Sequence, residues 1–324
     1  MSVLLTLMLA GAAQDPAASR YDNYLTPERL IEIASGRRLN LRCQGEGPVT
    51  VILEAGLGFP SLSWRAVHPE LARRTRTCAY DRAGLGFSDP GRMPRTAGAA
   101  ADDLEALLER AGLRPPYILV GSSLGGQVVR LFAFRHPDRV AGMVLVDPYA
   151  EGQYRVFANI EPAIGQELAQ GAREEAACLA ALRRRELSGE DAERRGCIAG
   201  PITGASPALN ALLRRQGLSP AAFEAAASES AMLDTKNERQ LAAARRPLGD
   251  MPLIVLSARG NFASPRYART AERLRAAQTA LHRRLAALST AGEVRQVDAG
   301  HVIQTDNPDA VIRAVEDILE RIRR

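Results

Sequence analysis

Lysine is almost absent from this chain: Lys236 is the only one in a combined lysine and arginine total of 42. Aromatic residues are also scarce, at 5%, with one tryptophan. The net charge of +5 and pI near 9.3 would suit a polyanion partner. The arginines, however, are scattered beside nearly as many carboxylates, and no basic stretch alternates with aromatic rings that could stack on bases, so the sequence argues against nucleic-acid binding. No apolar run approaches the roughly 20 residues of a membrane-spanning helix, and no segment repeats at a fixed period. The four cysteines, Cys43, Cys78, Cys178 and Cys197, include no CxxC pair and have no histidine at ligand spacing, which argues against a zinc site.

What is present is a 324-residue chain with 46% hydrophobic content, enough for one large domain carrying an insertion. Residues 3–9 form a short apolar run that passes through Ala10-Gly11-Ala12-Ala13 into polar Gln14-Asp15-Pro16. That order matches the end of a secretory signal peptide, although no basic residue precedes it. On this reading residues 1–20 are a leader and the mature protein is periplasmic or secreted; the alternative is a cytoplasmic protein.

Beyond residue 20, apolar β-branched runs alternate with helical patterns, which predicts an α/β fold: a mostly parallel sheet with helices on both faces. The strands are expected at 30–34, 38–43, 50–54, 75–80, 117–120, 142–146, 253–257 and 293–297. Helices are expected at 99–111, 125–136 and 309–322. In the last of these Val311, Ile312, Val315, Ile318, Leu319 and Ile322 recur at three- and four-residue steps. Between residues 149 and 249 lie roughly 100 residues with no convincing strand, too long for a structureless loop and rich in Ala, Arg and Glu. This stretch reads as a helical cap inserted into a core made of 21–148 and 250–324, sitting over the strand ends where open α/β sheets bind ligands.

The sharpest chemical signal is Gly121-Ser122-Ser123-Leu124-Gly125, where the apolar run 117–120 enters a helix. Only Ser123 has glycine two residues away on both sides. A nucleophile held on a sharp strand-to-helix turn needs this, because side chains at the flanking positions would collide. Among the four histidines, His68, His136 and His282 sit in or beside helical patterns, whereas His301 follows the run 293–297 through Asp298-Ala299-Gly300. A loop at a strand's carboxyl end can bring a ring to hydrogen-bond distance of a nucleophile, which makes His301 the candidate general base. The orienting acid should lie between the two in chain order. After the run 253–257 the chain reads Ala258-Arg259-Gly260-Asn261, with no carboxylate before Glu272. Asp147, ending Val144-Leu145-Val146-Asp147-Pro148, is therefore the candidate acid. The amides of Leu57, in Glu54-Ala55-Gly56-Leu57-Gly58, and of Leu124 are the candidate oxyanion donors.

With these motifs the chain resembles the α/β-hydrolase superfamily from residue 35 onward. The resemblance is carried by Glu-Ala-Gly-Leu-Gly at 54–58, Tyr-Asp-Arg-Ala-Gly-Leu-Gly-Phe-Ser at 80–88, the Gly-x-Ser-x-Gly turn, Leu-Val-Asp-Pro at 145–148 and Gly300-His301. It implies an eight-stranded sheet, a cap after the sixth strand, no cofactor, and an acyl-enzyme formed with a small-molecule acyl substrate. It also implies that the strands bearing Cys43 and Cys78 are neighbours, so that these two could form one disulfide and Cys178 with Cys197 another in an oxidising compartment. Two departures stand out: Ala55 replaces a histidine common in relatives, and the acid position after the seventh strand is empty. An ester is the expected substrate. The same site would also serve an amidase, a carbon-carbon hydrolase or a perhydrolase, and the empty acid position leaves room for a ligand-binding protein on a hydrolase scaffold.

Overall fold

The computed structural model describes residues 21–323, so the leader expected over 1–20 lies outside the described residues. The strands are β1 (Arg29–Ala34), β2 (Arg37–Gln44), β3 (Thr50–Glu54), β4 (Thr77–Tyr80), β5 (Tyr117–Ser122), β6 (Val140–Val146), β7 (Leu253–Ala258) and β8 (Gly292–Val297). They form one sheet in the order β1-β2-β4-β3-β5-β6-β7-β8. The β1/β2 and β2/β4 pairs are antiparallel and every other pair is parallel.

The central strands are apolar on successive positions through their middles because both faces are covered. Ile52, Tyr117, Leu119, Met143, Leu145, Leu253 and Val255 enter one core cluster. The alternate residues Val51, Leu53, Ile118, Val120, Val144, Val146, Ile254 and Leu256 enter the other, as the two-residue period of a strand dictates. The first cluster is closed by α2 (Ala97–Arg110), α3 (Gly125–Arg135) and α10 (Ala271–Ala286). The second is closed by α1 (His68–Ala72), α11 (Ile303–Asp306) and α12 (Pro308–Arg323). The predicted eight strands and three helices are all present. The largest boundary difference in a helix is at α2, which begins two residues early because Thr96 caps it, its hydroxyl accepting the Ala99 amide.

Between β6 and β7 lie six helices: α4 (Gln153–Ile160), α5 (Pro162–Arg183), α6 (Gly189–Arg194), α7 (Pro207–Gly217), α8 (Pro220–Met232) and α9 (Lys236–Ala244). Ser206-Pro207 and Ser219-Pro220 start two of them in the same way. The serine hydroxyl accepts a first-turn amide, and the proline occupies a position whose N–H would be unpaired in any case. The last of them, α9, is tied to the core, since Asn237 Oδ1 and Gln240 Oε1 accept the Ala97 and Gly98 amides at the start of α2. Among the described residues no helix is long and apolar enough to cross a membrane.

Both cysteine pairs are bridged: Cys43 with Cys78 across β2 and β4, and Cys178 in α5 with Cys197 just after α6. The second closes a loop with a sequence separation of 19 residues. For a loop of that length, loss of the cross-link should lower stability by about 3 kcal/mol. Urea unfolding of Cys178→Ser in the Cys197→Ser background will check this; an unchanged midpoint would mean the bridge does not constrain the unfolded chain.

Candidate active site

Three strands deliver the predicted residues to one edge of the sheet. Ser123 follows β5, Asp147 follows β6, and His301 follows β8 through a short loop. The chain runs from β3 outward to β4 on one side and then to β5 on the other, so the loops after β3 and β5 diverge at the sheet's switch point, where open α/β folds form a crevice.

Ser123 stands on the turn with φ of 51°, in the left-handed region. The flanking glycines are required by close approach. A Cβ on Gly121 would lie 2.6 Å from the Gly125 carbonyl oxygen, and one on Gly125 would lie 2.6 Å from the carbonyl oxygens of Glu54 and Ala55. The second contact presses the turn against the loop after β3. Ser123 Oγ donates to His301 Nε2 at 3.0 Å, and His301 Nδ1 donates to Asp147 Oδ2 at 2.6 Å. A carboxylate only accepts, which fixes the tautomer and leaves Nε2 free to accept the serine proton.

Asp147, 2% exposed, also occupies a left-handed conformation, with φ of 41°. Its Oδ1 accepts the Ala258 amide at 2.9 Å and Gln278 Nε2 at 2.7 Å, and its Oδ2 accepts Asn261 Nδ2 at 2.8 Å as well as the histidine. The residue at the empty acid position is thus a donor to the carboxylate that stands one strand away. Asn261 and Gln278 were not legible as partners of Asp147 from sequence, because neutral amides on a loop and a helix carry no periodic signal.

The His301 side chain is 51% exposed, yet both ring nitrogens point inward into bonds. Burial of those nitrogens pulls its pKa down; the hydrogen bond and charge of Asp147 outweigh this and leave it raised above 6.5. The other histidines are engaged elsewhere. His68 Nε2 bonds the Thr77 carbonyl, His282 Nε2 bonds the Pro148 carbonyl, and burial holds both rings below the ordinary imidazole range. His136 is paired with Glu105 at 3.1 Å rather than lying free in solvent.

The loop after β3 lies against the nucleophile, since a Cβ on Gly56 would be 3.6 Å from both Ser123 Cβ and Phe59 Cδ2. Among the described residues, the Leu57 and Leu124 amides make no hydrogen bond to backbone or side chain, unlike the neighbouring Gly58 amide. Leu124 also precedes α3, so its N–H lies at the positive end of a helix. Two cavities flank the site. One of about 610 Å³ is lined by His301 together with Tyr154, Phe157, Leu168, Glu175 and Phe262. The other, about 420 Å³ and mostly apolar, is lined by Phe59, Leu62, Ile198, Phe223 and Val302. Among the described residues no cluster of three or more His, Cys, Asp or Glu side chains is arranged to hold a metal ion.

A model of the alpha/beta hydrolase family matches residues 51–314. Among curated proteins, YqjL of Bacillus subtilis is 37% identical over 105 residues, which cover 32% of this chain and 42% of that protein. The 2-hydroxymuconate semialdehyde hydrolase of Pseudomonas sp. is 36% identical over 117 residues, 35% of this chain and 41% of that protein. The chain thus spans less than half the length of the curated relatives it matches. Among solved structures, the enol-lactonase from Burkholderia xenovorans LB400 superposes with a TM-score of 0.60 at 22% identity, covering 90% of this chain and 99% of that one. An esterase from Thermogutta terrifontis gives a TM-score of 0.56 at 22% identity, covering 92% and 99%. At that level of identity the likeness is one of fold.

Proposed function

The chain belongs to the alpha/beta hydrolase family, and from that premise we propose that it is a serine hydrolase that cleaves a carboxylic ester through an acyl-enzyme on Ser123. The observation that carries this reading is the unbroken relay from Ser123 Oγ to His301 to Asp147, at 3.0 and 2.6 Å. His301 Nε2 takes the hydroxyl proton as Oγ attacks the acyl carbon, and the carbonyl electron pair moves onto oxygen. The Leu57 and Leu124 amides receive that oxyanion. Collapse of the tetrahedral species expels the alcohol, which takes the proton from His301. Water then enters by the same route and frees the acid and the serine. Asp147 holds the ring in its tautomer and stabilises the imidazolium. Epoxide-opening members of this fold use an aspartate nucleophile, so a serine at position 123 disfavours that chemistry.

An ester is the bond to test first, with carbon-carbon cleavage as the second reading because 2-hydroxymuconate semialdehyde hydrolase is among the curated relatives. The six helices of 153–244 act as a cap and, with the two cavities, select the acyl and alcohol parts of a small-molecule substrate. Two disulfides fit a protein that works in an oxidising compartment, periplasmic or secreted.

The test is turnover of short-chain p-nitrophenyl esters by the purified protein, with mass-spectrometric mapping of a fluorophosphonate adduct. Turnover with the adduct on Ser123 supports the reading; an inert protein without an adduct overturns it.

The raised pKa of His301 gives the reaction a pH signature. The base must be neutral to accept a proton, so the rate follows the unprotonated fraction and climbs as pH rises through the pKa. The acid limb of kcat/KM should have its midpoint above 6.5, the value of an unperturbed imidazole. A pH–rate profile with its midpoint below 6.5 would show that Asp147 does not raise the base.

A further inference from the structure

The loop beside Ser123 is held by one buried arginine paired with two buried carboxylates, one of which comes from the inserted helices. Arg82, fully buried after β4, donates through Nη1 to Glu54 Oε1 at 2.8 Å and to the Ala55 carbonyl at 2.6 Å, and through Nη2 to the Gly56 carbonyl at 2.7 Å. Its Nε and Nη2 also donate to the two carboxylate oxygens of Glu229 at 2.7 and 2.8 Å. Glu229 lies in α8, is 3% exposed, and accepts the Gly58 amide on Oε2 at 2.9 Å. Tyr80 donates its hydroxyl to the remaining oxygen of Glu54.

These bonds fix a direction. In a trans peptide the C=O of one residue and the N–H of the next point opposite ways. With the Gly56 carbonyl turned towards Arg82, the Leu57 N–H must point away from it. The carbonyls of 55 and 56 and the amide of 58 are all consumed by the Arg82–Glu229 pair, and the Leu57 amide between them is left without a partner. The helix that supplies Glu229 is seated directly on this segment. A Cβ on Gly58 would lie 3.3 Å from Ala226 Cβ, and one on Gly84 would lie 2.7 Å from Ala225 Cβ. Only small residues on one side and glycine on the other permit that approach.

We infer that Glu229 is a positioning residue for the oxyanion donor: with Arg82 it sets the Gly56–Leu57 peptide plane, so that a helix of the insertion completes the acyl-transfer site. The inference rests on the serine-hydrolase reading and extends it, because it makes the seating of α8 a condition of turnover. Any displacement of α8 that withdraws Glu229 leaves Arg82 with one carboxylate fewer and releases the Gly58 amide together with the loop it anchors.

The test compares wild type with Glu229→Gln, which keeps the shape but removes the charge and, in either amide orientation, sets an NH₂ against at least one Arg82 donor. Glu229→Asp keeps the charge but is one methylene too short to span both partners, and serves if the glutamine variant does not fold. The readouts, taken well below each variant's melting temperature, are kcat and KM on p-nitrophenyl butyrate and inhibition by butylboronic acid, whose tetrahedral serine adduct places an oxygen where the oxyanion forms. Either variant should lose kcat by roughly 10²-fold, the scale of one misplaced oxyanion donor, with KM within about twofold and boronate affinity falling alongside kcat. A folded variant with a lowered melting temperature but unchanged kcat and boronate affinity would make the pair a structural brace and overturn the inference, as would a change confined to KM. A wild type inert to both ester and fluorophosphonate would overturn the serine-hydrolase reading and this inference with it, whereas an active wild type with unaltered variants removes this inference alone.

Discussion

Replacing Ser123 by alanine should lower kcat on a short p-nitrophenyl ester by about 10⁴-fold or more, leaving the protein folded. The size follows from the lack of a substitute nucleophile. The adjacent Ser122 is 3% exposed, and its hydroxyl is turned towards Gln304 Oε1 at 3.3 Å. It belongs to β5 and makes no bond to His301, so Ser122→Ala is the matched control and should keep most of the activity. Stability should change little in Ser123→Ala, because the backbone strain at φ 51° is borne equally by alanine and the main-chain bonds at the turn stay in place. Those bonds run from Ser123 N to the Val146 carbonyl and from the Gly126 and Tyr149 amides to the Ser123 carbonyl. Residual turnover equal to wild type would remove Ser123 from the reaction altogether.

Asp147→Asn should be the second most damaging change, lowering kcat by about 10³- to 10⁴-fold with a much smaller effect on KM. The carboxylate accepts four hydrogen bonds, two on each oxygen. An asparagine presents one acceptor oxygen and one NH₂, and either amide orientation sets the NH₂ against two donors. If the oxygen stays with His301 and Asn261, the amine faces the Ala258 N–H and Gln278. If it turns, His301 meets a donor and must shift its proton to Nε2, where it can no longer accept from serine. The pH–rate profile separates this mechanism from simple unfolding, because the variant's remaining activity should have its acid limb at lower pH than wild type. Equal kcat in wild type and Asp147→Asn would show that the orienting role belongs elsewhere.

Much of this arrangement was legible from the sequence, and the reasons are physical. The runs at 50–54, 117–120, 142–146 and 253–257 announce themselves because strands covered on both faces are apolar on successive positions through their middles, and the helix at 309–322 does so because it buries one stripe only. The frame of the serine was fixed by Gly121 and Gly125, whose missing side chains make room for backbone oxygens at 2.6 Å. Asp147 is marked out in the sequence by its place at a strand end and by the absence of a carboxylate between Ser257 and Glu272. The Arg82–Glu229 pair was not legible: its members are 147 residues apart, and a single buried charge on a helix looks in sequence like any solvated one. The support of Asp147 by Asn261 and Gln278 was hidden in the same way, since hydrogen bonds across a fold leave no period in the chain. The leader, by contrast, was a sequence feature that falls outside the described residues.

The Cys43–Cys78 bridge has a mechanical meaning as well. Once the contacts of residues 21–28 with Arg42, Ser206 and Leu209 have yielded, a load drawn on the chain from that side peels β1 from β2, breaking its pairs one after another as a zipper opens. The peeling front then runs along β2, whose contact with β4 is limited to Leu41–Gln44 against Thr77–Tyr80. At Cys43 it meets a covalent link, and the load passes into β4, which is locked in parallel register with β3 through Val51, Ile52 and Leu53. Peeling beyond that point must break the β3/β4 hydrogen bonds as well, so the oxidised protein should resist pulling at its antiparallel edge better than the reduced one.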